Sequence, residues 1–274
     1  MWVRLAQFLF RLCAFSVVFA FMLVVAAPLL ERLMIYPLDD TRVSPADADL
    51  PTVTEEVFHH DGQALIVWTA PPAPGKPVIF YLHGNAGNLA NRASRFDLLL
   101  QRGYGLVAPA YRGYSGSTGT PQEAAIIGDT VAIYDSIVRP MKAPVVVYGE
   151  SIGAAVTLGV IEAGITPDAI LLEAPYTSLK AMAAHHYPGN GGFTKHLSNQ
   201  WDSLFRARRV TLPLLILHGT KDELIPIDMG RQIFTAAPSI QKEFVEAPGA
   251  GHTGLWRTDT WPKLTSYINQ FALR

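Results

Sequence analysis

The chain has 274 residues and one cysteine, Cys13. A lone cysteine excludes an intrachain disulfide and argues against a thiolate nucleophile or a cysteine-rich metal site. Charge is also scarce: 16% of residues are charged, 22 basic against 23 acidic, for a net charge of −1. No basic stripe is present, which argues against a nucleic-acid groove. There are no repeats and no low-complexity segments. The pairs His59-His60 and His185-His186 lack a third ligand at metal-site spacing, and neighbours on a strand point to opposite faces. No metal and no cofactor are expected.

One long hydrophobic run is present. Residues 12–30 carry no charge. As a helix they span about 28 Å, close to the roughly 30 Å of a bilayer's hydrocarbon core. Arg4 and Arg11 precede the run, while Glu31, Asp39 and Asp40 follow it, diluted by Arg32 and Arg42. That asymmetry predicts a membrane anchor with its N-terminus in the cytoplasm and the rest of the chain on the extracytoplasmic side. The rival is a cleaved signal peptide ending at Ala26-Ala27, although Pro28 then follows the cut and the run is long for a signal core. The expected organisation is an anchor over 1–35, a polar linker over 36–52 and a folded domain over 53–274.

Within that domain, short apolar runs alternate with helical segments. Val53 to Ala70 reads as a hairpin turning at Asp61-Gly62. Strands are predicted near 78–83, 105–109, 144–148, 169–174, 213–218 and 243–247. Helices are predicted near 87–101, 121–138, 152–163, 227–236 and 257–271. Apolar strands between helices point to an α/β fold, a mostly parallel sheet covered on both faces. The stretch 183–210 breaks the alternation with Pro188-Gly189-Asn190-Gly191-Gly192 and is expected to form a small lid.

The motif with the most chemical content is Gly149-Glu150-Ser151-Ile152-Gly153, between the apolar run 145–148 and the small-residue run 154–158. Glycines on both sides allow a tight strand–turn–helix junction that holds a serine in a strained backbone above the sheet. Such a serine needs a base, and the base needs an acid to orient it. The chain order Ser, Asp, His is supplied by Ser151, by Asp222 after the strand ending in His218-Gly219, and by His252 after the strand 244–247. Glu223 competes with Asp222 for the acid. Oxyanion donors are expected from the backbone N–H of Ile152 and that of Asn85, with Ala86 the near alternative, in the loop His83-Gly84-Asn85-Ala86-Gly87-Asn88. His218 reads as a structural hydrogen-bonder and His83 as a residue that shapes that loop.

These motifs, with Tyr111-Arg112-Gly113-Tyr114-Ser115-Gly116, His218-Gly219-Thr220-Lys221-Asp222 and Gly251-His252, resemble those of α/β-hydrolase-fold serine hydrolases. The similarity is greatest to the N-terminally anchored subgroup that includes the mammalian protein depalmitoylases and the yeast bud-emergence-type proteins. It departs at Ala110, where that family usually has an acid. The resemblance implies an anchored hydrolase of carboxylic esters or thioesters working through an acyl-enzyme, with an acylated small molecule, lipid or protein as substrate. A serine amidase or peptidase, or a non-enzymatic scaffold, is the alternative. Trp201, Leu204 and Phe205 beside Arg206, Arg208 and Arg209 suggest a lid surface suited to an anionic membrane. The bland rival is a solvated basic patch.

Overall fold

The computed structural model describes residues 2–189 and 197–272. It contains two compact units, Met1–Pro37 and Leu38–Arg274. The first is one helix, α1 (Trp2–Ile35). Among the described residues no helix is long and apolar enough to cross a membrane. The structure therefore lends the anchor expected over 12–30 a helix but no membrane span.

The second unit is an eight-stranded sheet with helices around it. Its strands are β1 (Thr54–His60), β2 (Gln63–Ala70), β3 (Val78–Leu82), β4 (Gly105–Pro109), β5 (Val145–Glu150), β6 (Ala169–Glu173), β7 (Leu214–Gly219) and β8 (Lys242–Ala247). Their order across the sheet is β1-β2-β4-β3-β5-β6-β7-β8. β2 runs antiparallel to both β1 and β4, and every other pairing is parallel. The hairpin turns at Asp61 and Gly62, whose φ values of 48° and 70° are the left-handed pair that a two-residue turn between twisted strands requires.

All five residues of β3 are buried, as are those of β4 and β6. Helices covering both faces demand this of parallel strands, and it is why these segments read as unbroken apolar runs. Successive side chains of β3 divide between the two faces: Phe80 packs on Tyr134 at 5.8 Å and Tyr81 packs edge-on to Phe96 at 5.1 Å.

The helices are α2 (Ala93–Leu100), α3 (Glu123–Ile133), α4 (Ile152–Glu162), α5 (Leu179–His186), α6 (Ser203–Ala207), α7 (Ile227–Ala236) and α8 (Trp261–Ala272). The helix expected from 87 opens as a tight 3-10 turn, Leu89–Arg92, because Asn88 and Asn91 cap it reciprocally. The helix expected to run to 138 gives way to a π turn, Tyr134–Val138. The last helix starts at Trp261 rather than 257, with Pro262 in its first turn, where a missing N–H costs nothing.

Residues 183–210 include the end of α5 and all of α6; Asn190, Gly191 and Gly192 lie outside the described residues. The membrane-facing surface expected there is corrected in two respects. Trp201 is fully buried and its backbone N–H donates to Glu123 Oε2 at 2.8 Å. Arg206 is held between Glu123 at 2.7 Å and Glu162 at 2.9 Å. The acids on α3 and α4 claim that guanidinium because it is mostly withdrawn from water, and an ion there needs a partner. Phe205 alone of the apolar trio is strongly exposed, at 48%.

Candidate active site

Ser151 stands between β5 and α4 with φ 55° and ψ −114°, a backbone conformation a side chain rarely accepts. Its N–H donates to the Glu173 carbonyl at 2.8 Å and its carbonyl accepts from the Ala154 N–H at 2.9 Å, so the strain is held from both sides. The flanking glycines have no room for a side chain. A Cβ on Gly149 meets Gly153 O and Thr157 Oγ1 at 2.4 Å, and one on Gly153 meets Leu82 O at 2.0 Å. Residues 152–160 of α4 are all buried, which explains their small, apolar composition.

Asp222 follows β7 and His252 follows β8, so both lie past the carboxyl ends of parallel strands, as Ser151 does. His252 Nδ1 is 2.8 Å from Asp222 Oδ2. The other carboxylate oxygen accepts the N–H groups of Leu224 at 3.0 Å and Ile225 at 2.8 Å. Burial pushes this carboxyl's pKa up, but hydrogen bonds from His218, His252 and Ile225 outweigh it and hold Asp222 well below the usual carboxylate range. It therefore stays ionised and requires His252 to present Nδ1–H, which leaves Nε2 as the basic nitrogen. Glu223, the competing acid, is exposed.

His218 is fully buried; its Nε2 donates to the Ile225 carbonyl at 2.8 Å and lies 3.4 Å from Asp222 Oδ2. It braces the loop that carries the acid, as a structural hydrogen-bonder does.

The loop after β3 is built around His83. Its Nε2 accepts the Tyr111 N–H at 3.3 Å, so its proton sits on Nδ1, which donates to the Gly84 carbonyl at 2.7 Å. Tyr111 stacks on the ring at 4.0 Å and returns a hydrogen bond from its hydroxyl to the His83 carbonyl. Burial, then the charge of Arg92, push the His83 pKa down to about 3. The Tyr114 hydroxyl donates to Asn85 Oδ1 at 2.8 Å, and the Leu89 N–H donates to Ser115 Oγ at 3.0 Å. The segment 111–116 is thus the platform of the loop. Ala110, at the departure from the family pattern, is buried, and its carbonyl accepts the Ser117 hydroxyl.

Two charged side chains beside the elbow escaped sequence reasoning. Glu150, directly before the serine, bonds Arg92 and the Tyr81 hydroxyl. Glu173, at the end of β6, takes a forked hydrogen bond from Arg95 and further ones from Tyr148 and Trp256. The available signal was a charge placed at the end of an otherwise apolar strand in both cases.

A family model described as "Serine aminopeptidase, S33" matches residues 192–257, a stretch that includes both Asp222 and His252. An uncharacterized protein of Mycobacterium tuberculosis is 31% identical over 230 residues, covering 81% of this chain and 80% of that protein. The chain belongs to the α/β-hydrolase superfamily. Another relative in this α/β-hydrolase group is the lysophosphatidylserine lipase ABHD12 of Rattus norvegicus, 33% identical over 187 residues; the match covers 61% of this chain but only 47% of that lipase. Among solved structures, an esterase of Pyrococcus furiosus superposes with a TM-score of 0.65 at 19% identity, covering 86% of this chain and 98% of that one. A monoacylglycerol lipase of Paleococcus ferrophilus gives 0.59 at 17% identity, covering 79% and 99%. At those identities the superpositions speak for the fold. The likenesses carry the superfamily and stop short of the anchored depalmitoylase subgroup.

Proposed function

We propose that this α/β-hydrolase cleaves carboxylic esters or thioesters through an acyl-enzyme on Ser151. The observation that carries the reading is the 2.8 Å bond from His252 Nδ1 to Asp222, which fixes the imidazole with Nε2 available as a base. In this reading Ser151 Oγ attacks the acyl carbon while His252 Nε2 takes its proton. The N–H groups of Asn85 and Ile152 stabilise the tetrahedral oxyanion. Its collapse expels the alcohol or thiol, protonated by His252, and water then hydrolyses the acyl-enzyme by the same steps.

A lipid ester or an S- or O-acylated protein is the proposed substrate class, its lipid-ester part supported by the likeness to the lysophosphatidylserine lipase ABHD12. The uncharged run 12–30 supports a second part of the proposal, that this segment anchors the enzyme with its N-terminus in the cytoplasm and its catalytic unit outside. The description "serine aminopeptidase" on the matching family model favours a second reading, an amidase using the same residues.

The experiment is a panel of p-nitrophenyl esters and acyl-thioesters of graded chain length, run beside aminoacyl p-nitroanilides. Hydrolysis of the esters, with fluorophosphonate labelling that Ser151→Ala abolishes, is the expected result. Turnover of the anilides alone selects the amidase, and undiminished labelling of Ser151→Ala refutes the nucleophile. For the anchor, the protein should stay with membranes through a carbonate wash, and a reporter that works only outside the cytoplasm should be active when fused after Arg274. A soluble mature chain beginning near Pro28 identifies a cleaved signal instead.

A further inference from the structure

Arg92 ends the 3-10 turn Leu89–Arg92 and is almost completely buried. All five of its N–H groups are committed. Nη1 donates to the carbonyls of Ala86 at 2.5 Å and Asn88 at 3.1 Å. Nη2 donates to the Gly84 carbonyl at 3.3 Å and to Glu150 Oε1 at 3.2 Å, and Nε donates to Glu150 Oε2 at 3.3 Å. One planar fork thus binds three carbonyls of the loop after β3 and the residue preceding Ser151.

The Gly84 carbonyl is the informative partner. It shares a peptide unit with the Asn85 N–H, and a trans peptide is planar with its C=O and N–H pointing in opposite directions. Among the described residues there are no cis peptide bonds. Holding the carbonyl from behind therefore aims the amide forward. Two donors hold it, Arg92 Nη2 at 3.3 Å and His83 Nδ1 at 2.7 Å. The Ala86 N–H belongs to the Asn85–Ala86 peptide, whose carbonyl is not among the three Arg92 holds. The packing leaves no slack, since a Cβ on Gly84 falls 2.7 Å from Glu150 Oε1 and 3.2 Å from Arg92 Nη2.

We propose that Arg92 is a positioning residue for the oxyanion hole: it orients the Gly84–Asn85 peptide and, through Glu150, ties that peptide to the nucleophile elbow, so that donor and nucleophile are held in one frame. The proposal rests on the hydrolase reading above and selects Asn85 over Ala86 as the loop donor. Lysine cannot replace this arrangement, because an ammonium offers three donors and no planar fork. Burial pushes the Glu150 carboxyl up, but Arg92 and Arg95 outweigh it and keep it ionised, below its usual range. The frame is then locked by charge as well as by geometry.

The test uses the full chain and counts active sites by fluorophosphonate titration, so that misfolded protein does not enter kcat. Arg92→Lys and Arg92→Met should lower kcat per titrated site by roughly 10²-fold, the effect of losing one oxyanion donor, with KM little changed. Affinity for a boronic acid or trifluoromethyl ketone, which mimics the tetrahedral state, should fall in parallel with kcat/KM. Glu150→Gln keeps the shape, weakens the tie and serves if the arginine variants do not fold; it should show the same pattern at smaller size. Unchanged kcat per titrated site and unchanged inhibitor affinity overturn the proposal, and a fall in titratable sites alone reduces Arg92 to a folding role, which overturns it equally. A wild-type protein that neither reacts with the probe nor hydrolyses any ester removes the hydrolase reading itself, and the positioning role with it.

Discussion

His83 lies buried against Tyr111, and its imidazolium is disfavoured first by that burial and then by the Arg92 charge. An unfolded histidine binds a proton near pH 6.5, whereas this one resists protonation down to about 3. Below pH 6.5 the unfolded chain therefore gains protons that the folded one does not, and stability falls with pH across that window. By pH 5 the cost approaches about 2 kcal/mol from this residue alone, at 1.36 kcal/mol per unit. Urea unfolding of wild type and His83→Gln at pH 7.5 and pH 5 should show a smaller pH-dependent loss in the variant, although the variant is less stable at pH 7.5 because the Tyr111 N–H loses its acceptor. Equal losses in the two proteins would contradict the neutral, buried assignment. The same ring holds the Gly84 carbonyl, so the variant's kcat should fall as well.

At the scale of elements, the loops bearing acid and base are joined by backbone hydrogen bonds as well as by the His252–Asp222 pair. The Lys221 N–H donates to the Ala250 carbonyl at 2.8 Å and the Thr220 N–H to the Ala247 carbonyl at 3.1 Å. Gly219 sits at that seam, where a Cβ meets Gly251 O at 2.2 Å and Ala250 O at 2.5 Å. Gly219→Ala should therefore push the His252 loop away from β7 and stretch the His252–Asp222 bond. The expected outcome is a loss of activity of at least tenfold with the sheet intact by circular dichroism, and a downfield imidazole proton resonance weakened or lost in the NMR spectrum. Full activity in Gly219→Ala would show that the loop yields freely. What the sequence made legible follows from such local logic. Parallel strands buried on both faces read as unbroken apolar runs, and the serine and aspartate each follow one of these runs, while the histidine follows the alternating strand β8. The Asp61-Gly62 turn is equally local. The Arg92–Glu150 clamp joins residues 58 positions apart, so no short-range pattern reveals it. Arg206 and Trp201 misled for a related reason: a basic and an aromatic residue in a polar stretch read as surface, and only the acids on α3 and α4 show that they are drawn inward.

For the molecule as a whole, the unit Leu38–Arg274 includes the segment ahead of β1 as well as the sheet. The Asp39 carbonyl accepts the Ser115 N–H at 2.9 Å and its carboxylate accepts Asn88 Nδ2 at 3.0 Å, so residues usually dismissed as a tether brace the loop after β3. A chain beginning at Leu38 should keep wild-type kcat on a soluble short-chain ester, whereas one beginning at Thr41 should lose a measurable part of it. Equal rates for the two truncations would assign Asp39 no role.

Among the described residues β8 has a single neighbour, β7, and no strand on its outer edge. Its exposed residues Glu243 and Glu246 place charge on this edge strand, a common defence against intermolecular pairing. The base hangs five residues beyond this strand, whereas the nucleophile hangs from the interior strand β5. Peripheral strands detach in partial openings that cost less than global unfolding, and each such opening takes His252 with it. Catalytic competence is therefore less durable than the fold that supports it. On raising urea, ester hydrolysis should vanish before the far-ultraviolet dichroism changes, and amide protons of β8 should exchange with solvent faster than those of β5 under native conditions. Coincident loss of activity and dichroism, with uniform exchange across the sheet, would mean that the edge opens only when everything does.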